Sequence, residues 1–112
     1  HCPLTKETEG LIGKEQLEFM KKKAILINTA RGPVVDSKAL ADALTEGKIA
    51  GAACDVFETE PPLNTNHPLL HTPNTIVTPH IAFASKESME QRAEIVFDNL
   101  YSWIEGKQKN KM

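Results

Sequence analysis

Three apolar runs in this chain end in polar tips that could do chemistry together. AILINTARG carries Arg31, AGAACDVFETEP carries Asp55 and Glu60, and TIVTPH carries His80. A guanidinium grips a carboxylate through two parallel hydrogen bonds, which lysine cannot imitate. An imidazole accepts a proton from an alcohol and returns it to a ketone near neutral pH. Glu60, stiffened by Pro61 and Pro62, can bond the second ring nitrogen of His80 and favour its charged form. Asp55 can accept from an amide NH₂ and offset nearby positive charge. Taken singly, each has a plain structural alternative: an arginine paired for stability, a satisfied buried histidine, a solvated glutamate, an aspartate capping a turn. Only the set, in this order, implies orientation of a keto acid and exchange of one proton with it.

For these tips to meet, the runs must be parallel strands ending at one edge of a sheet, where open α/β sheets place their ligands. Residues 24–28 are too short an apolar run for a helix and read as a buried strand. The segment KEQLEFMKKK before them reads as a short surface helix ending near Lys21, Lys22 and Lys23. Asp36 is a fitting N-cap for SKALADALTEG, and Gly47 suits the left-handed C′ position. Residues 49–54 then form a second strand, which completes a βαβ unit. Its small residues Gly51, Ala52 and Ala53 would let a helix backbone lie close.

From Glu58 to Asn74 the chain turns to proline, asparagine, threonine and histidine, a long loop or a short 3₁₀ turn. Residues 75–77 are the third strand, closed by Pro79. After the cap Ser85, the apolar positions Met89, Ala93, Val96, Phe97, Leu100 and Ile104 recur at three and four, so a long amphipathic helix runs to Gly106. The polar tail 107–112 is expected to fray. The fold class is therefore α/β, a partial Rossmann-type, doubly wound parallel sheet of about three strands with flanking helices and a long C-terminal helix.

Bulk properties narrow the function. The chain has 112 residues, 13 basic and 15 acidic side chains, a formal charge of −2, and no long single-sign block, which argues against nucleic acid or a membrane surface as partner. No stretch approaches the roughly 20 apolar residues of a membrane span, and the start lacks a signal-peptide core, so a cytoplasmic setting is expected. Cys2 and Cys54 lack CxxC spacing and read as reduced thiols. His67 and His71 lie four apart, but Pro68 interrupts them and no third ligand follows, so they read as surface loop histidines and no metal site is expected.

The motifs INTARGPVVD, AACDVFETEP and NTIVTPHIA, in that order, closely resemble the C-terminal part of the nucleotide-binding domain of the D-isomer-specific 2-hydroxyacid dehydrogenases. The likeness runs from His1 to about Gly106, so residues 1–106 are read as that domain piece and 107–112 as a tail. It implies an NAD-dependent oxidoreductase acting on small 2-hydroxy and 2-oxo acids, with Arg31, Glu60 and His80 catalytic. Cys2, Pro3, Thr29, Ala30, Arg31, Asp55, His80 and Ala82 would lie along the cofactor.

Two departures qualify this reading. Phe83 stands where the family commonly has glycine, which would crowd the cofactor side of its loop. The six glycines nowhere form GxGxxG, and no acidic residue follows at the ribose-reading distance, so NAD and NADP both stay open. The isolated chain is accordingly expected to be inactive. The alternative is a non-catalytic, self-associating half-domain, whose unpaired strand edge and the aromatic residues Phe97, Tyr101 and Trp103 favour a homodimer.

Overall fold

The computed structural model describes residues 1–59 and 62–110. It divides into two compact units, residues 1–81 and 82–112. The first holds α1 (Lys14–Glu18), β1 (Ile25–Asn28), α2 (Ser37–Thr45), β2 (Gly51–Cys54) and β3 (Thr75–Val77). The second holds α3 (Lys86–Ile104).

All three strands are parallel, in the order β1-β2-β3. Register aligns Asn28 with Cys54 and Cys54 with Val77, so the carboxyl ends finish level. The crossover between β1 and β2 is α2, punctuated as its sequence requires. The Asp36 carboxylate accepts from the Ala39 amide at 2.9 Å, and Gly47 takes φ +66° just past the last turn. Leu40, Ala41, Ala43 and Leu44 face inward and pack with Leu17, Ile49, Ala52, Cys54 and Leu69. Burial of this set, at about 25 cal/mol per Å² of apolar surface, is what holds the layer of helices on the sheet.

Several expectations change. The first helix is a single turn and ends before the lysines, which lie exposed beyond it, because the chain turns from Leu17 to Met20 and from Lys21 to Ala24 on its way into β1. Strand β1 is only half-buried: Asn28 is 5 % exposed, whereas Ile25 and Ile27, on the opposite face, are 64 % and 69 % exposed. Gly51 receives not a helix but the Asn74 carbonyl, which lies 3.1 Å from where a Cβ would stand. The long loop does hold the short 3₁₀ turn expected of it, at Pro68–Leu70.

In the second unit, the Ser85 hydroxyl caps α3 by accepting from the Ser88 amide at 3.1 Å. Phe97, Tyr101 and Trp103 are exposed, as expected. Beyond α3 the chain folds back on the helix. Gly106 at φ +73° reverses the chain, Lys107 N–H donates to the Ser102 carbonyl at 2.8 Å, and the Lys109 ammonium meets the Asp98 carboxylate at 2.9 Å. The Arg92 guanidinium stacks over the Phe83 ring at 4.8 Å. Among the described residues, no helix is long and apolar enough to cross a membrane.

Candidate active site

The residues at the carboxyl edge are tied together through backbone and side chain. Asn28, the last residue of β1, turns its amide toward the loop that follows. Its Oδ1 accepts from the Ala30 N–H at 3.1 Å, and its Nδ2 donates to the Arg31 carbonyl at 3.1 Å. Its own carbonyl accepts from the Asp55 N–H at 3.0 Å. Asp55 is 4 % exposed. Its Oδ1 accepts from the Thr78 hydroxyl at 2.5 Å and from the Ile81 N–H at 2.8 Å, and its carbonyl accepts from the His80 N–H at 2.8 Å. Thr78 N–H in turn donates to the Cys54 carbonyl at 3.0 Å. His80 sits at φ +58°, a left-handed conformation that a side chain with a Cβ resists, and those bonds to Asp55 hold it there.

Arg31 is exposed, and its Nη1 donates to the Ala30 carbonyl at 2.7 Å. The next residue explains the tight turn. A Cβ on Gly32 would overlap the backbone of Phe57, so this contact between the two strand-end loops admits only glycine.

The amino-terminal loop comes alongside. Gly10 N–H donates to the Pro33 carbonyl at 2.8 Å, and Ile12 bridges to Val35. As a result His1, Cys2, Pro3, Thr29, Ala30 and Arg31 line a cavity of about 240 Å³, with the Thr29 hydroxyl 3.3 Å from His1 Nδ1. Five of the eight residues expected along a cofactor therefore share one trough. Asp55 and His80 stand at the same strand edge, and Ala82 opens the second unit. Glu60, the expected partner of His80, lies outside the described residues.

The loop histidines are less idle than their spacing implied. His67 Nδ1 accepts from the Leu69 N–H at 3.3 Å, which leaves Nε2 to donate to Glu58 at 3.0 Å. The Phe57 ring meets the imidazole edge-on at 5.2 Å. The surface reading fails for His67, whose side chain is 11 % exposed and hydrogen-bonded to Glu58, because the proline turn folds it back over Phe57. His71 Nε2 bonds the Thr65 carbonyl at 2.7 Å. Among the described residues no cluster of three potential metal ligands exists. Both cysteines are free thiols, and burial, aided by the Glu58 charge, pushes that of Cys54 up to about 11.

Asn28, Thr78 and the Glu58–His67 pair escaped the sequence reading, as did the close approach of Phe57 to Gly32. The one signal available for Asn28 was a polar residue closing an otherwise apolar strand. Nothing in the spacing of Glu58 and His67 marks them as partners.

Parallel strands joined by a crossover helix, with polar groups gathered at their carboxyl edge, define a Rossmann-like nucleotide-binding half-domain. The family profile described as D-isomer specific 2-hydroxyacid dehydrogenase, NAD binding domain, matches residues 1–82. The chain belongs to that family. It is 57 % identical over 106 residues to a glyoxylate reductase of Thermofilum pendens, covering 95 % of this chain and 31 % of that protein. A glycerate dehydrogenase of Methylorubrum extorquens is 50 % identical over 113 residues, covering 98 % of this chain and 35 % of that one. The NAD-complexed D-isomer specific 2-hydroxyacid dehydrogenase of Lactobacillus delbrueckii ssp. bulgaricus superposes with a TM-score of 0.83 at 36 % identity, covering 98 % of this chain and 37 % of that one. The chain thus spans about a third of the length of the curated relatives it matches.

Proposed function

We propose that this chain supplies the catalytic edge of a dehydrogenase that reduces small 2-oxo acids, glyoxylate and hydroxypyruvate first among them, to 2-hydroxy acids with NADH. The observation that carries this reading is the hydrogen-bonded path that joins the backbones of Arg31, Asp55 and His80 at one sheet edge in a member of this family. The names of the relatives, glyoxylate reductase and glycerate dehydrogenase, favour small substrates.

In this reading Arg31 grips the substrate carboxylate by its fork, which sets the keto carbon in one orientation. His80 gives its ring proton to the carbonyl oxygen as charge builds there, and takes it back from the alcohol in the reverse direction. Glu60 steadies the charged ring. The bound nicotinamide supplies the hydride. Thr29, Ala30, Cys2 and Pro3 fit its groove, because their side chains are small and they line one trough with Arg31. Asp55 and, by the family likeness, Ala82 belong to the same cofactor site, with the Asp55 carboxylate near the carboxamide. The phosphates must be held elsewhere, since no GxGxxG occurs in these residues.

We further propose that residues 1–106 are the functional extent of this piece, that it works in the cytoplasm as part of a homodimer, and that alone it turns over little or no substrate. The second reading, a self-associating half-domain without catalysis, is favoured by the exposed row Ile25, Ile27 and Ile76. One experiment separates them: NADH oxidation with glyoxylate or hydroxypyruvate by the full dehydrogenase bearing this chain. Turnover that falls at least 100-fold on His80→Gln supports the proposal; turnover indifferent to both Arg31→Lys and His80→Gln overturns it. Sedimentation of the 112-residue chain as a monomer at high concentration counts against the second reading.

A further inference from the structure

A buried amide at the end of an apolar strand calls for an explanation. The neighbouring inward residue of β1 is Leu26, and a leucine at position 28 would suit the same core. Burying a polar side chain is unfavourable unless its hydrogen bonds are made. Asn28, 5 % exposed, makes them, and both go to the turn that carries Arg31.

We propose that Asn28 is a positioning residue for substrate binding. Its amide sets the Ala30–Arg31 backbone from which the guanidinium reaches the substrate carboxylate, and its carbonyl locks that turn to the Asp55–His80 segment. This rests on the substrate role of Arg31 proposed above.

Three observations support it. Arg31 is exposed, so its backbone is the part of the residue that the fold can fix. That backbone is held from both sides, by the Asn28 amide at 3.1 Å and by the Val34 N–H, which donates to the Arg31 carbonyl at 3.3 Å. The chain then continues, through the Asn28 carbonyl to the Asp55 N–H and the Asp55 carbonyl to the His80 N–H, at 3.0 Å and 2.8 Å. One residue therefore touches the backbone of both the carboxylate-gripping loop and the strand end that orients the proton-carrying loop. The simple replacements all fail at this position. Aspartate can accept from Ala30 but cannot donate to the Arg31 carbonyl, serine is too short to do both, and the aliphatic residues do neither.

The test uses the full dehydrogenase and measures two dissociation constants by fluorescence: that of NADH, and that of oxamate, an isostere of a 2-oxo acid, in the NADH complex. Asn28→Asp keeps the shape but loses the donor, and Asn28→Ser keeps the neutrality but is too short to reach both partners. Each is expected to weaken oxamate by about 10- to 100-fold and leave NADH within about twofold. In an Arg31→Ala background the same substitutions should add nothing, because Asn28 acts through Arg31. If one variant fails to fold, the other decides. Unchanged oxamate affinity in a folded Asn28 variant, while Arg31→Ala weakens it, overturns this proposal alone. So does an effect that persists undiminished in the Arg31→Ala background, which marks a general structural role. Oxamate binding unaffected by Arg31→Ala overturns the reading of Arg31 and the proposal with it.

Discussion

The Glu58 carboxylate and the His67 imidazole meet at 3.0 Å across nine residues of loop. The pair pins the start of the proline-rich segment to its 3₁₀ turn. Burial pushes the Glu58 carboxyl up, but the bonds from Ser37, from its own backbone N–H and from His67, with the His67 charge, outweigh it and hold the group below the usual range.

A carboxyl lowered in the folded state stabilises the fold above its unfolded value and loses that contribution as pH falls through the folded one. Melting temperature should therefore drop as the pH is taken below about 4.5, and Glu58→Gln should remove part of that drop while lowering the melting temperature at pH 7. Melts recorded by circular dichroism from about pH 3 to pH 7 check this. An acid limb left unaltered by Glu58→Gln would rule the pair out as a contributor.

Gly32→Ala should destabilise the fold by about 1–3 kcal/mol, since the new methyl overlaps the Phe57 backbone and neither loop can give way cheaply. Gly47→Ala, where nothing lies within 4 Å but φ is +66°, is the control and should cost about 1 kcal/mol through strain alone. Urea titration of the two variants reports the difference in midpoint.

Thr78→Val removes the hydroxyl that donates to the buried Asp55 carboxylate at 2.5 Å. A buried acceptor left short of one bond should lower stability by about 1–3 kcal/mol. Amide hydrogen exchange at Ile81, whose N–H bonds the same oxygen at 2.8 Å, should quicken in parallel.

The two thiols should differ sharply in reactivity. With its thiol pushed up to about 11, Cys54 is thiolate in only about one molecule in a thousand at pH 8, and it is 2 % exposed. Iodoacetamide at that pH should therefore label half-buried Cys2 first, read by mass spectrometry of the tryptic peptides. Unfolding in urea should bring Cys54 to the same rate.

Much of this was open to the sequence because the signals were local. Asp36 and Ser85 cap the helices that begin after them, and Gly47 and Gly106 adopt the left-handed conformation that ends them. Each depends on contacts within five residues, so spacing alone decides it. Arg31, Asp55 and His80 could be named as a set because each closely follows an apolar run. The first helix was overdrawn because residues 14–23 keep an acceptable helical pattern, while the turn at Lys21–Ala24 that leads into β1 leaves no periodic trace. The burial of β1 was overdrawn for a related reason. A continuous apolar run carries no alternation, so nothing in it tells Leu26, packed against the core, from Ile25 and Ile27, which are not.

The amino acids by themselves determined the kinds of groups at this edge, the order of elements that carry them and the family to which the chain belongs. The tertiary structure alone decided what holds those groups: Asn28 to the turn of Arg31, Asp55 to Thr78 and Ile81, Glu58 to His67, Gly32 to the backbone of Phe57. The physical reason is one of range. Caps and periodicity arise between neighbours along the chain, whereas a buried amide or carboxylate is satisfied by whichever donor the parallel register sets beside it.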